Sequence, residues 1–396
     1  MANSIQSPNR DLSCPGRIVL AVLVLGLLLR LAVVPLPVFY HADEIWQYME
    51  PGYHLAGGRW VIPWEFREGI RSWLVPALLA VPYAAGRLLA PDTQLHVLLQ
   101  KLLLVGLSLS VIASAAGLGL RFSRLHGFLA GFVTAIWFEL VYFAPRALSE
   151  SLALAFIFPA IYLLTLPVER RSRAVMVAAG LLLGVTFCVR FHLAPVLLVL
   201  ALYGCGRRLR AGWLPLIAGG LMGLGLDGAI DAFAGETPFV WIIKNFTVNI
   251  IDSKSASFGT EPFYWYAKSV WYLYGIAALP LGVLAVLGAR LYPAMFCAAA
   301  INLAVHSAIP HKEPRFILAS TVMLLVLAAL GSAELLRLAA KRWPAAVSPS
   351  AIAAMAMLWL TVSAACGATQ PFAREWQRNR ELVLTLTEAG NAPAPC

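Results

Sequence analysis

Residues 41–72 read HADEIWQYMEPGYHLAGGRWVIPWEFREGIRS. The stretch is polar, yet it lies between two apolar runs, 17–38 and 72–90. Runs of roughly 20 apolar residues are what a helix needs to cross a bilayer core. A polar segment between two of them is a loop at a membrane edge. This loop carries adjacent carboxylates, Asp43 and Glu44, and three more acids, Glu50, Glu65 and Glu68. Trp46, Tyr48, Tyr53, Trp60, Trp64 and Phe66 accompany them. Ile45, Tyr48, Met49 and Leu55 can form one face of an interfacial helix over 44–56.

Outward from this loop the pattern repeats. The 396 residues are 60% hydrophobic and 13% charged, about half the charge of a soluble domain. Twelve apolar segments lie near 17–38, 72–90, 96–119, 127–143, 150–167, 174–189, 193–205, 212–230, 268–288, 292–309, 315–338 and 347–366. The expected fold class is therefore an all-α polytopic membrane protein, with one integral domain expected over 1–396 and no soluble domain expected at either end. Water-soluble classes are excluded. No internal repeat is visible, which disfavours inverted-repeat transporter folds. Arg10 and Arg17 precede a run too long for a cleavable signal core, so the first run is expected to stay as a transmembrane helix.

The net charge of +10 resides mainly in short inter-helix links, as topology signals do. No basic face interleaved with aromatics exists, so no nucleic-acid partner is expected. Cys14, Cys188, Cys205, Cys297, Cys366 and Cys396 form no CxxC pair, and neither a disulfide framework nor a zinc site is read. Arg10 and Arg17 place the N-terminus inside. Arg170, Arg171 and Arg173, then Arg207, Arg208 and Arg210, then Lys341 and Arg342 mark further inside links. This puts 39–71, 145–150, 189–192, 231–267 and 311–315 outside, gathered on one face. Simple alternation would also put Arg121 and Arg124 outside. A partial crossing by 72–90 or 96–119 removes that conflict, leaving about eleven full spans and an external C-terminal tail.

Two readings of Asp43 and Glu44 are open. One is a solvated loop start with Asp43 as helix N-cap. The other is a base that takes a proton from an acceptor hydroxyl, with its neighbour holding it. A second polar island, His311-Lys312-Glu313-Pro314-Arg315, packs cations where the positive-inside rule disfavours them. Lys312 and Arg315 could pair with a phosphate, Arg through its bidentate fork. A phosphate leaving group so held needs no protonation. Arg146 and Glu150, and Arg190 and His192, sit at span edges as structural pairs or supporting cations. Asp227 and Asp231, one turn apart, could bind a cation, orient a sugar or cap a helix. With no third ligand, no metal and no firm cofactor is assigned. Residues 244–266, KNFTVNIIDSKSASFGTEPFYWY, combine amides, hydroxyls and aromatics as sugar sites and interfacial loops both do.

Four of these motifs, in this order, resemble those of the dolichol-phosphate-mannose-dependent mannosyltransferases of glycosyltransferase family 22. They are HADEIWQYMEPGYHLAGG with WEFREGIRSWLVP, then RALSESL, then NFTVNIIDSKSASFGTEPFYWY, then HKEPRFI. Glu150 stands where that family usually has Asn, and Phe263-Tyr264-Trp265 where it has a His. The resemblance implies a GT-C fold and an inverting transfer of a sugar, mannose above others, from a polyprenyl-phosphate donor. It implies Asp43 as base and Glu44 as partner, with His311, Lys312 and Arg315 on the donor phosphate and Arg146 and Arg190 beside them. His41, Glu50, His54, Trp64, Glu65, Arg71, His192, Asn245, Tyr264, Trp265 and Glu313 are then the candidates for substrate contact. The acceptor would be a lipid-linked glycan, glycolipid or polysaccharide. The Ala/Leu/Arg-rich composition suggests a bacterial inner membrane, with the endoplasmic reticulum as the eukaryotic counterpart. The competing class is a lipid-glycan transporter or flippase. It calls for ionisable residues deep in several helices, whereas here polar groups cluster at one edge.

Overall fold

The computed structural model describes residues 15–91 and 93–391. Arg10, Cys14 and Cys396 lie outside the described residues. Among those described, all regular structure is helical. The chain begins with α1 (Pro15–Val33), then runs through two short helices, α2 (Glu50–Leu55) and α3 (Trp64–Arg67), to α4 (Leu74–Leu89). Next come α5 (Leu95–Leu120), α6 (Arg124–Ile136), α7 (Phe138–Phe143), α8 (Ser149–Leu164), α9 (Arg173–Val189), α10 (Ala194–Cys205) and α11 (Leu214–Phe233). After a second long connection bearing α12 (Val240–Phe246) come α13 (Trp265–Tyr274), α14 (Ala278–Ala289), α15 (Pro293–Ala308), α16 (Leu318–Ala340) and α17 (Pro349–Ala368). Two small helices, α18 (Gln370–Ala373) and α19 (Arg380–Asn391), follow. Six helical stretches are by themselves long and apolar enough to cross a membrane, α1, α5 and the stretches containing α11, α13–α14, α16 and α17.

Each of the twelve apolar segments is helical, but α4 does not run end to end. Its first turn is tied to the end of α11: Ser72 Oγ donates to Asp227 Oδ1 (2.5 Å) and the Trp73 amide to Asp231 Oδ1 (3.0 Å). Near its last turn Arg87 donates to the Ala56 carbonyl (2.6 Å), just past α2. The chain then enters α5, whose Lys101 donates to the Val34 carbonyl at the end of α1 (2.9 Å). Both ends of α4 therefore lie at one end of the bundle. With α13 and α14 counted as one, eleven spans remain. Arg121 and Arg124 then fall with the other basic links at the opposite end.

Lipid supplies no hydrophobic drive between helices, so close packing of small residues has to hold them. A Cβ on Gly288 of α14 would run into the Leu327 carbonyl of α16, and one on Gly331 into the Leu284 carbonyl. The pair α9 and α11 meets in the same way through Gly180 and Gly219. Helix α16 is the buried centre of the bundle.

Between α6 and α7 the backbone breaks at Trp137, which is extended (φ −64°, ψ 124°). A broken helix leaves carbonyls without partners. Arg30 fills that need from inside α1: it donates to the Thr134 and Ala135 carbonyls (3.1 and 3.0 Å) and to Ser108 Oγ (3.1 Å). Its side chain is fully buried. The break lets α7 turn toward the end of the bundle where the polar loops gather.

Candidate active site

A cavity of about 620 Å³ opens at that end. Its walls come from the loop after α1, the α7–α8 and α9–α10 turns, the α11–α13 connection, the α15–α16 turn and the segment after α18. Asp43 and Arg315 meet in it, with Asp43 Oδ2 2.6 Å from an Arg315 terminal nitrogen. Arg315 also reaches Glu313 (2.7 Å) and Glu150 (3.5 Å). Glu150 in turn holds Arg190 (3.0 Å), which also donates to Ser149 Oγ (3.2 Å). His311 bridges Glu313 (3.2 Å) and the Gly259 carbonyl (3.1 Å). Lys312 donates to the Glu261 and Ile309 carbonyls (3.0 and 2.5 Å). Residues from four sequence motifs thus form one connected polar network.

Local structure orients the acids. Glu44 opens a π-helical turn, Glu44–Met49, that passes into α2. Asp43 stands at its N-cap position but makes no capping hydrogen bond, so the capping reading does not hold. Its side chain faces His41 (Nδ1 to Oδ1, 3.1 Å) and Arg315 instead. Burial works against its charge, but the His41 hydrogen bond and the positive charges of Arg315 and Arg71 outweigh it. The carboxyl is held well below the usual carboxylate range. Glu44 points the other way. It is buried, and accepts from the Tyr40 amide at 2.6 Å. Burial raises its pKa against the opposing charge of Arg146.

Of the residues expected to touch substrate, Asp43, His41, Trp64, Glu65, Arg71, Arg190, His192, Asn245, His311, Lys312, Glu313 and Arg315 line the cavity. Glu44, Arg146, Glu50, His54, Tyr264 and Trp265 are not on its lining. Arg146 is buried beside the Tyr142 ring and donates to the Val38 carbonyl. Glu50 accepts from the Val61 amide (2.9 Å), and His54 stacks on Trp60 (4.5 Å). Tyr264 is exposed. Asp227 and Asp231 hold Ser72 and Trp73, and they anchor the loop without reaching the cavity.

Other lining residues were not among the expected site residues, although Gln47, Asn249 and Phe316 lie within the quoted motifs. Tyr40, Gln47, Asn249, His306, Phe316, Glu375 and Arg378 belong to this group. Gln47 donates to Glu65 (3.1 Å), and Asn249 to Asn245, which itself holds the Ile70 carbonyl (both 3.1 Å). Arg71 lines the cavity, is half-buried, and has no hydrogen bond at its buried Nε.

This arrangement of spans, with a cavity built by the first long loop and later turns at one end, is that of the GT-C class of membrane glycosyltransferases. The chain belongs to the Alg9-like mannosyltransferase family, whose model matches residues 21–374. Among curated relatives, it is 29% identical over 309 residues to a GPI mannosyltransferase 3 of Drosophila melanogaster, covering 75% of this chain and 53% of that protein. A GPI mannosyltransferase 3 of Trypanosoma brucei brucei is 40% identical over 81 residues, 19% of this chain and 14% of that one. The chain thus spans about half the length of the Drosophila relative it matches. Among solved structures, ArnT from Cupriavidus metallidurans bound to undecaprenyl phosphate superposes with a TM-score of 0.60. That likeness covers 90% of this chain and 64% of ArnT at 16% identity, and it concerns the fold.

Proposed function

We propose that this protein transfers mannose from a polyprenyl-phosphate donor to a lipid-linked or glycolipid acceptor, with inversion at the sugar carbon. The observation that carries the reading is the ion pair of Asp43 with Arg315 inside a cavity rich in paired cations. Family membership and the mannosyltransferase relatives support mannose as the sugar. ArnT, in the structure it resembles, holds a polyprenyl phosphate.

In this reading Asp43 accepts the proton of the acceptor hydroxyl as that oxygen bonds to the sugar carbon. The bond from that carbon to the phosphate oxygen breaks, and polyprenyl phosphate leaves with its electron pair. Lys312, Arg315 and Arg71 stabilise the leaving charge, so no acid is needed. A very low pKa makes Asp43 a weak base at rest. An arriving phosphate competes for Arg315, loosens its grip on Asp43 and raises that basicity where the acceptor needs it. Glu44 and Arg146 hold the loop from behind. The basic links at the far end support a cavity on the external or lumenal face, in a bacterial inner membrane or its endoplasmic reticulum counterpart.

The test is transfer by purified protein in lipid, offered a series of polyprenyl-phosphate sugars with a host lipid extract. The account expects label to move from the mannosyl donor into a product of opposite anomeric configuration, read by NMR. Retention of configuration would refute the single-displacement chemistry. No transfer from any donor in the series would favour a transport role.

A further inference from the structure

The segment after α17 folds back over the cavity end and is firmly held there. Phe372 is buried, with its ring edge-on to Phe138 (4.6 Å) and Tyr142 (5.2 Å). Trp376 Nε1 donates to the Gly367 carbonyl (2.9 Å), and Tyr142 Oη to the Glu375 carbonyl (2.9 Å). Asn379 adopts a left-handed conformation (φ 57°) and donates to the Phe39 carbonyl at 3.0 Å. That carbonyl lies four residues before Asp43. This strap brings Glu375 and Arg378 into the cavity wall. The family match ends at residue 374, so neither residue is part of it.

The cavity lining holds five Lys or Arg side chains, Arg71, Arg190, Lys312, Arg315 and Arg378. Arg315 is committed to three carboxylates, Arg190 to Glu150, and Lys312 to two carbonyls. Arg378 differs in two respects. Its side chain is 41% exposed, against 4% for Arg315 and 10% for Arg190. Its carboxylate partner is Glu375, three residues back at 3.1 Å, an exposed pairing of small worth. Its guanidinium is pre-oriented over the Tyr40 ring (5.0 Å), four residues from the Glu44 that Tyr40 helps to seat. A phosphate can therefore replace Glu375 on Arg378 at little cost, and two guanidinium nitrogens suit it.

We propose that Arg378 binds the phosphate of the lipid-linked substrate at the cavity mouth, with Glu375 as the internal anion that it releases. This deepens the reading above and rests on a phosphate-linked donor.

The experiment measures undecaprenyl phosphate binding to the full-length protein in nanodiscs, together with KM and kcat for the mannosyl donor. The Arg378→Gln, Arg378→Lys and Glu375→Gln variants are compared with wild type. Arg378→Gln should weaken binding and raise KM about tenfold, the loss of one charge-assisted contact, and Arg378→Lys should restore part of it. Glu375→Gln should act in the opposite direction, tightening binding a few-fold. A structural strap pair would instead move both variants the same way and lower the thermal midpoint of each. Shifts of the same sign, or none, overturn the assignment while leaving the transferase reading intact. A wild-type protein that binds no undecaprenyl phosphate overturns both. An equal loss of affinity for phosphatidylglycerol would make Arg378 a general headgroup contact and overturn it as well.

Discussion

Arg315 lies 2.6 Å from Asp43 although 272 residues separate them in sequence. The pair joins the loop after α1 to the turn before α16, so the proposed base and the cation paired with it sit on separate elements. If the pairing tunes Asp43, as proposed, then Arg315→Gln should lower kcat/KM more than the loss of one phosphate contact explains. We expect a drop of at least about a hundredfold, combining charge loss with a misplaced base. Arg315→Lys should recover little of it, because an ammonium cannot span Asp43, Glu313 and Glu150 together. Full recovery by Lys would show that charge alone matters. Steady-state kinetics on the three proteins decide this.

The pH profile carries a second expectation. Asp43 is held below the ordinary carboxylate range, about pH 4. Its charge contributes stability above that range, and the contribution is lost only as pH falls through the depressed native value. The profile of kcat/KM, which reports the free enzyme, should therefore show no Asp43-linked limb between about pH 5 and 8. His41→Gln removes the strongest of the interactions that lower this pKa, leaving burial less opposed. The acid limb of kcat/KM should then move upward. An unmoved limb would mean that another group controls it.

Arg146 presents a different test. It is buried, and its Nε and one terminal nitrogen have no hydrogen-bond partner. The opposing charge is that of buried Glu44. Arg146→Leu removes that charge from beside buried Glu44 together with the bond to the Val38 carbonyl. The expected result is a lower thermal midpoint and poor yield, with the donor KM of the folded fraction changed less than about twofold. A tenfold rise in KM at unchanged stability would place Arg146 on the substrate.

Helix packing can be tested away from the site. Gly331→Val drives a side chain into the Leu284 carbonyl, and backbone on both sides cannot yield. Overpacking of this kind costs about 1–3 kcal/mol or more, read as a lower midpoint in a thermal scan. Gly282, also on α14, has open space around it, so Gly282→Ala should be neutral or stabilising. Equal behaviour of the two variants would contradict the α14–α16 contact.

Much of this was legible in the sequence because polar residues are conspicuous in an apolar chain. The spans, the loop holding Asp43 and the HKEPRF turn all announce themselves that way. The conflict at Arg121 and Arg124 pointed to a segment that does not cross, and the hydrogen bonds at both ends of α4 identify it. Orientation was not legible. Asp43 and Glu44 are consecutive on a helical turn, so their side chains diverge by about 100°, and only one can face the cavity. Arg146 sits at a span edge, from which an Arg can reach inward or outward with equal ease. Glu375 and Arg378 reach the cavity only because Phe372 and Trp376 dock their strap, and nothing local in the sequence signals that return. His306 lies inside an apolar run and reads as core.

The most direct measurement is mannose transfer from a radiolabelled polyprenyl-phosphate donor, comparing wild type with Asp43→Asn in the same lipid. Asp43 is partly exposed in the cavity (21% for its side chain), and Asn keeps its shape, so both proteins should fold and bind undecaprenyl phosphate. The account predicts transfer by wild type and a loss of at least about a thousandfold in the variant, as befits a base in contact with the reacting hydroxyl. Transfer by Asp43→Asn at a rate near that of wild type would contradict it.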